Sequence, residues 1–365
     1  MKVRGAVLRE VPGLLEIADD VELGTPGPRE VLVRTVAAGL CHSDLHFMEG
    51  KYPVPLPSVL GHESAGVVEA VGDQVTYVQP GDHVITCLSV YCGNCEACLT
   101  GHLSLCADKA AVQRPEGAPP RITVGGQRAH HFFDLSSFAE AVLVHEHALV
   151  KIREDMPLDR AALIGCAVMT GVGAVFHTAK VEPGTTVAVI GCGGVGLNCI
   201  QGAAIAGAGR VIAVDMLPAK LELAKQFGAT DVVDASAGDA IGAVKELTGG
   251  GVHYSFEAIG LKATAEQAFR MLRRGGTATV IGMIPVGQYV EVPGHELLYE
   301  KKLQGSNMGS NRFRVDMPRL VDLYLDGRLK LDELVSRTIT LDEVNDGFEA
   351  MKAGEVARSV ITFQG

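Results

Sequence analysis

From the start of the chain to about residue 85, apolar and polar positions alternate in short runs separated by turns. E-V-L-V-R-T-V-A-A (30–38) alternates through Val31, Val33 and Thr35, and G-V-V-E-A-V (66–71) forms another such run; both predict short strands in a mainly-β region. Near Val168 the pattern changes. T-V-A-V-I (186–190), V-I-A-V-D (211–215), V-V-D (232–234), Y-S-F-E-A (254–258) and T-A-T-V-I (277–281) read as strands, with helical stretches between them, two of them at about 195–207 and 218–227. Continuous apolar strands separated by helices predict a parallel sheet covered on both faces. From about 307 the alternation stops. Amphipathic helices are expected at 317–326 and 342–353, with a β-like S-R-T-I-T-L (336–341) and a last strand S-V-I-T-F (359–363). The pattern therefore divides the chain into a mainly-β domain at 1–167, a doubly wound α/β domain at 168–306, and a tail at 307–365 that returns to the first domain.

Residues 107–136 fit neither pattern. They are rich in Pro, Gly and Arg (R-P-E-G-A-P-P-R) and end in H-H-F-F-D. A loop that long in a compact domain is functional or disordered, and Phe132 and Phe133 at its end read either as pocket lining or as core.

Sulfur adds the first chemistry. Cys92, Cys95, Cys98 and Cys106 stand as C-x2-C-x2-C-x7-C, a spacing that folds four thiolates around one tetrahedral ion and predicts a structural zinc. Two disulfides are the bland alternative, and nine cysteines cannot all pair. Cys41, in L-C-H-S-D-L-H-F (40–47), and His62, in G-H-E (61–63), offer a thiolate and an imidazole. Each also reads as an ordinary buried residue. Cys166, in L-I-G-C-A-V-M-T-G, would be a third ligand, and three protein ligands with one open position is how catalytic zinc is held.

G-C-G-G-V-G (191–196) follows the first apolar strand of the second domain and opens a helix. It fits G-x-G-x-x-G through Gly191, Gly193 and Gly196, with Gly194 and Val195 between, and Asp215 follows 19 residues after Gly196 at the end of the next strand. The whole is a dinucleotide fingerprint: the glycines admit a pyrophosphate to the helix N-terminus and the acid accepts ribose hydroxyls. Asp215 would repel a 2′-phosphate, so NAD is expected over NADP. Lys220 is the nearest cation, for the ribose or for solvent. Arg358, just before the last strand, reads as a pyrophosphate contact or as a solvated surface charge, and sequence alone favours the second.

Composition narrows the setting. The net charge of −11 argues against a phosphate-backbone partner, so no nucleic acid is expected. No apolar run approaching 18 residues stands out, so no membrane partner is expected either. The opening M-K-V-R-G-A-V-L carries no charged-then-apolar leader, and with free thiols this predicts a reducing cytoplasm.

Taken in order, these pieces resemble the zinc-dependent medium-chain alcohol dehydrogenases, specifically the liver-type branch with two zincs. G-H-E-S-A-G-V-V-E-A-V-G-D-Q-V (61–75) is similar to that family's G-H-E-x2-G-x5-G-x2-V, and the four-cysteine loop and G-C-G-G-V-G fall where the family carries its structural zinc and coenzyme loop. The resemblance implies a GroES-like catalytic domain beside a Rossmann coenzyme domain, NAD and two Zn2+ per chain. It implies Cys41, His62 and Cys166 as catalytic zinc ligands, Glu63 as an alternate or supporting carboxylate, and Asp44 as the group orienting His62. Ser43 and His46 match the proton relay. His42, where many relatives carry Arg, is implied to meet the pyrophosphate with Arg358. Thr170 and Ile281, Gly282 and Met283 are implied beside the nicotinamide, and Tyr52, Leu88, Phe132, Phe133 and Met283 around the substrate.

The activity so implied is reversible oxidation of primary aliphatic, terpenoid or aromatic alcohols to aldehydes, with hydride passing to NAD, in a homodimer or homotetramer joined through residues 287–313. Cys166 counts against a polyol dehydrogenase, whose relatives carry a carboxylate there. Oxidation of a thiol conjugate of formaldehyde is the alternative inside the family. A coenzyme-binding protein that kept the fold without the chemistry would hold one zinc rather than two, and a metal-free quinone reductase would need neither cysteine set.

Overall fold

Strand Glu30–Gly39 is the axis of the first unit. It pairs antiparallel with Ser64–Val71, with Ala141–His145 and with Arg358–Thr362. Its alternation is what the pleat requires: Val31 and Val33 are buried, while Arg34, the residue after Val33, reaches out to Glu69 at 3.6 Å. The strand belongs to a seven-stranded sheet in the order Leu149–Lys151, His83–Thr86, Ser64–Val71, Glu30–Gly39, Arg358–Thr362, Val335–Ile339, with Ala141–His145 also on the central strand. A six-stranded sheet runs Gln127–Arg128, Ile122–Val124, Leu15–Leu23, Lys2–Leu8, Ser58–Val59, His130–His131. Val31, Val68, Val84, Val142 and Leu149 fill the core of the larger sheet, and Val3, Val7, Val21, Ile122 and Val124 that of the smaller. Each such side chain contributes about 1.5–3 kcal/mol by leaving water.

The structure, a computed structural model, describes residues 1–363. Two units emerge: Met1–Cys166 with the chain from Arg312 onward, and Ala167–Asn311. The chain from Arg312 belongs to the first unit because strand Arg358–Thr362 lies beside the central strand, pairing Val360 with Gly39 and Ile361 with Ala38. Residues 107–136 are more ordered than their composition suggests. Glu30, almost fully buried, accepts from Arg114 and Arg121 and from the backbone N–H of Gly27, and these bonds tie the irregular segment to the central strand.

The second unit is a parallel sheet in the order Asp231–Asp234, Arg210–Asp215, Thr186–Ile190, Val252–Glu257, Leu272–Val280, Lys302–Gly305. In chain order this is strands 3-2-1-4-5-6, the doubly wound Rossmann arrangement. The unit extends past residue 306 because the turn after the last strand is hydrogen-bonded back to the unit's own first helix.

One helical stretch, Leu158–Ala179, is long and apolar enough to cross a membrane, and the alternation pattern did not single it out. Of its apolar window 83% is buried within the protein, as in a core helix. It is α-helical at Leu158–Leu163 and Met169–Gly173 and widens to π-helix at Ile164–Val168 and Ala174–Ala179. Such widened turns concentrate at functional positions, and the first carries Cys166.

Candidate active site

Helix His42–Met48 starts from Cys41, whose backbone N–H donates to Asp44 Oδ2 at 3.3 Å. Asp44 Oδ1 accepts from the Gly61 N–H at 3.2 Å and from His62 Nδ1 at 3.0 Å. Burial raises the Asp44 pKa. Burial also opposes charge on His62, yet the Asp44 contact prevails and raises its pKa. With Nδ1–H spent on Asp44, Nε2 is the free donor atom, buried and without a protein partner.

That atom faces sulfur and oxygen. The donor atoms of Cys41, His62, Glu63 and Cys166 all lie within 4.8 Å of one another, and all four residues are buried. The Cys166 contact, with Arg358 and His62 behind it, pulls the Cys41 pKa well down, and the same contact pushes that of Cys166 up. Burial lifts Glu63 to about 8 against the opposing charge of Arg358. Arg358 Nη1 lies 3.2 Å from Glu63 Oε1 and donates to the Leu40 carbonyl at 2.6 Å. The Glu63 contact is an ion pair by distance but lacks hydrogen-bond alignment, so both Glu63 oxygens stay unbonded. Unpartnered buried polar atoms each cost about 1–3 kcal/mol. A divalent cation among these donors would partner both His62 Nε2 and the Glu63 oxygens.

The second cluster is a self-contained loop. Cys92 and Cys98 sulfurs are 3.9 Å apart, Cys95 and Cys98 3.5 Å, Cys95 and Cys106 3.9 Å. Four sulfurs held at zinc–sulfur bond length around a tetrahedron stand about 3.8 Å apart. Backbone N–H groups of Asn94 and Cys95 donate to Cys92 Sγ, and that of Cys92 to Cys106 Sγ, supporting thiolate charge as a zinc loop requires. All nine cysteines are free, so the disulfide alternative falls.

Helix His42–Met48 also carries the relay candidates. Ser43 Oγ is 3.6 Å from Cys41 Sγ. His46 lies one turn on; burial lowers its pKa, and its Nδ1 is buried without a partner. No hydrogen bond joins Ser43 to His46. His42, the first helical residue, is exposed. An aromatic cluster adjoins these donors: Phe133 stands edge-on to His62 at 5.5 Å and to Phe47 at 5.5 Å, Phe132 is 5.0 Å from Phe47, and Tyr52 is 5.7 Å from Phe47. Leu88, half-buried, packs against the Val31–Val90 core.

In the second unit Gly191 takes φ +93°, and a Cβ on Gly196 would collide with the Gly191 carbonyl, whereas one on Gly193 would meet nothing within 4 Å. The loop thus turns sharply, packs tightly and leaves one face open for a phosphate. Asp215 ends its strand half-buried and accepts from the N–H groups of Cys192 at 2.8 Å and Leu217 at 3.0 Å. It caps the glycine loop and keeps further lone pairs for ribose hydroxyls. Lys220 lies on the following helix, Pro218–Gln226. Gly194 and Val195 open helix Gly194–Ile205. Ile281 and Gly282 donate their N–H groups to the Glu257 carbonyl at the carboxyl end of the sheet, with Met283 next. Thr170 Oγ1 donates to Met308 Sδ at 3.4 Å.

Residues 194–325 match the family model described as zinc-binding dehydrogenase, and residues 27–154 the one described as alcohol dehydrogenase GroES-like domain. An S-(hydroxymethyl)glutathione dehydrogenase of Synechocystis sp. is 40% identical over 371 residues, covering 100% of both chains. The chain belongs to the zinc-dependent alcohol dehydrogenases. Among solved structures, the alcohol dehydrogenase zinc-binding domain protein of Burkholderia ambifaria superposes with a TM-score of 0.95 at 36% identity, covering 100% of both chains. The benzyl alcohol dehydrogenase of Acinetobacter calcoaceticus gives 0.94 at 35%, again covering 100% of both. As a member of this family the protein is an oxidoreductase with a GroES-like domain and a Rossmann domain, and its two clusters and glycine loop fit two zinc ions and NAD.

One expectation is corrected. Arg358 is not a solvated surface charge: it is 4% exposed, held in because its strand starts beside Leu40 and Glu63. Phe47 went unassigned although it directly follows His46. Its place in the i, i+4 register from Ser43 was the available signal.

Proposed function

We propose that this alcohol dehydrogenase oxidises primary alcohols reversibly to aldehydes, with Cys41, His62 and Cys166 holding the catalytic zinc and Glu63 as its supporting carboxylate. The observation that carries the reading is the convergence of four donor atoms within 4.8 Å around an unpartnered His62 Nε2. Zinc, when bound, supplies a Lewis acid that eases loss of a proton from the alcohol, and NAD supplies a hydride acceptor. Asp44 fixes the His62 tautomer. Ser43 Oγ takes the proton first, and His46, held towards its neutral form by burial, receives it at Nδ1. Phe47, Tyr52, Phe132 and Phe133 exclude water and favour an apolar substrate.

The glycine loop and Asp215 serve NAD in preference to NADP, with Lys220 beside the ribose. Thr170, Ile281, Gly282 and Met283 serve the nicotinamide. His42 and Arg358 serve the pyrophosphate, as the family resemblance implies. The edge strand Lys302–Gly305 and the exposed Val286, Tyr289 and Leu298 suit a homodimer or homotetramer, and nine free thiols suit a reducing cytoplasm.

Cys41→Ser tests the reading. Zinc should fall from two ions to one per chain and turnover of a primary-alcohol panel should vanish while NADH still binds; undiminished turnover overturns it. A second reading, oxidation of S-(hydroxymethyl)glutathione, is favoured by the name of the Synechocystis relative. Side-by-side rates with formaldehyde plus glutathione and with benzyl alcohol decide between them.

A further inference from the structure

Thr178 lies in the second π-helical segment, Ala174–Ala179. A threonine inside a helix ordinarily spends its hydroxyl on a carbonyl one turn back. This one does not. Its Oγ1 lies 2.8 Å from Ser306 Oγ and 2.8 Å from Ser310 Oγ, and its carbonyl accepts from Gln304 Nε2 at 3.3 Å. One residue of the helix thus grips both ends of the turn that follows strand Lys302–Gly305.

That turn is strained. Met308, Gly309 and Ser310 take φ of +51°, +67° and +49°, three left-handed residues in succession, of which only glycine adopts that form freely. Gly309 is required for a second reason: a Cβ there would strike the Met169 carbonyl. Met308 is buried, accepts from Thr170 through its sulfur, and its carbonyl accepts from Asn311 Nδ2 at 2.8 Å. Left-handed non-glycine residues persist only where their surroundings over-determine them, and they gather at ligand sites. The place agrees. In a doubly wound sheet the ligand lies outside the carboxyl ends of the strands, and strands 4-5-6 receive the second nucleotide; this turn is the carboxyl end of the sixth.

We propose that Thr178 is a positioning residue for the coenzyme: its hydroxyl locks the Ser306–Ser310 turn in the left-handed form that meets the nicotinamide half of NAD. The inference rests on the coenzyme reading given above. Without the hydroxyl the turn relaxes, and the nicotinamide meets a disordered edge while the adenosine half, held at the glycine loop, is unaffected.

The test compares wild type with Thr178→Val and Thr178→Ser by fluorescence titration with NADH and by calorimetry with ADP-ribose, which lacks the nicotinamide. Thr178→Val should bind NADH about tenfold more weakly, the loss of two hydroxyl hydrogen bonds, with ADP-ribose affinity and the two-zinc content unchanged. Thr178→Ser should stay within about twofold of wild type. Equal NADH affinity in wild type and Thr178→Val, or an equal loss for NADH and ADP-ribose, overturns the proposal. If wild type binds neither ligand, the coenzyme reading itself falls. Should Thr178→Val fail to fold, Ser310→Ala carries the test: about threefold weaker NADH with unchanged ADP-ribose supports the clasp, and unchanged NADH refutes it.

Discussion

Replacing Glu30 with Gln removes one charge from between two guanidinium groups and should destabilise the first unit by about 3 kcal/mol at neutral pH. The figure follows from the carboxyl. Burial alone would raise its pKa, but hydrogen bonds from Arg114, then Arg121, then the Gly27 N–H, hold it down from 4.5 to about 2. A gap of that size corresponds to about 3 kcal/mol. Because the folded pKa is depressed, the stabilisation is complete above about pH 5.5 and is lost as pH falls through 4.5 towards 2. The assay is urea unfolding of both proteins followed by circular dichroism, in steps from pH 8 to pH 4. The difference between them should be flat down to about pH 5.5 and about 0.8 kcal/mol smaller at pH 4. Coincident urea midpoints at pH 7, or a difference that grows on acidification, would refute the argument.

Other outcomes follow from the same geometry. Phe133→Leu should lower kcat/KM for benzyl alcohol about 2- to 12-fold relative to cyclohexylmethanol, a non-aromatic alcohol of similar size, since an edge-to-face pair is worth about 0.5–1.5 kcal/mol; a constant ratio in steady-state assays counts against an aromatic substrate wall. Cys98→Ser should cost one zinc per chain by metal analysis and lower the thermal midpoint, because a structural site contributes folding energy directly; retention of two zincs would remove the four-sulfur assignment. Burial holds His131 at about 3, and burial followed by the nearby His147 holds His145 at about 3. Both must stay neutral in the fold, so stability should be constant above about pH 6.5 and fall as pH drops from there towards 3. His131→Phe should flatten that decline in a thermal-melt series, and an unchanged slope would exclude His131 as a contributor.

What could be read in the sequence was what local chemistry forces into fixed spacing. Four sulfurs around one ion need C-x2-C-x2-C within one loop, and a pyrophosphate needs Gly191, Gly193 and Gly196 between a strand and a helix, so both announced themselves without any knowledge of the fold. Arg358 did not. A guanidinium beside a strand looks solvated until the pairing of Val360 with Gly39 carries it in beside Glu63. Residues 107–136 looked irregular for a related reason: Arg121 meets Glu30 across 91 positions, a distance no periodicity records. Helix Leu158–Ala179 escaped notice because its residues are apolar on every side, as a buried helix is, and period carries no signal there.

Arg358, which braces Glu63, follows the last of the four donor residues, Cys166, by 192 positions. On the ribosome, the segment Ala167–Asn311 is contiguous and can close as soon as it emerges, whereas Cys41, His62, Glu63 and Cys166 must wait for strand Arg358–Thr362 before their neighbourhood is complete. Loss of that strand, by a stop codon or a protease, would strip the support from a donor cluster built by residues 192 or more positions upstream.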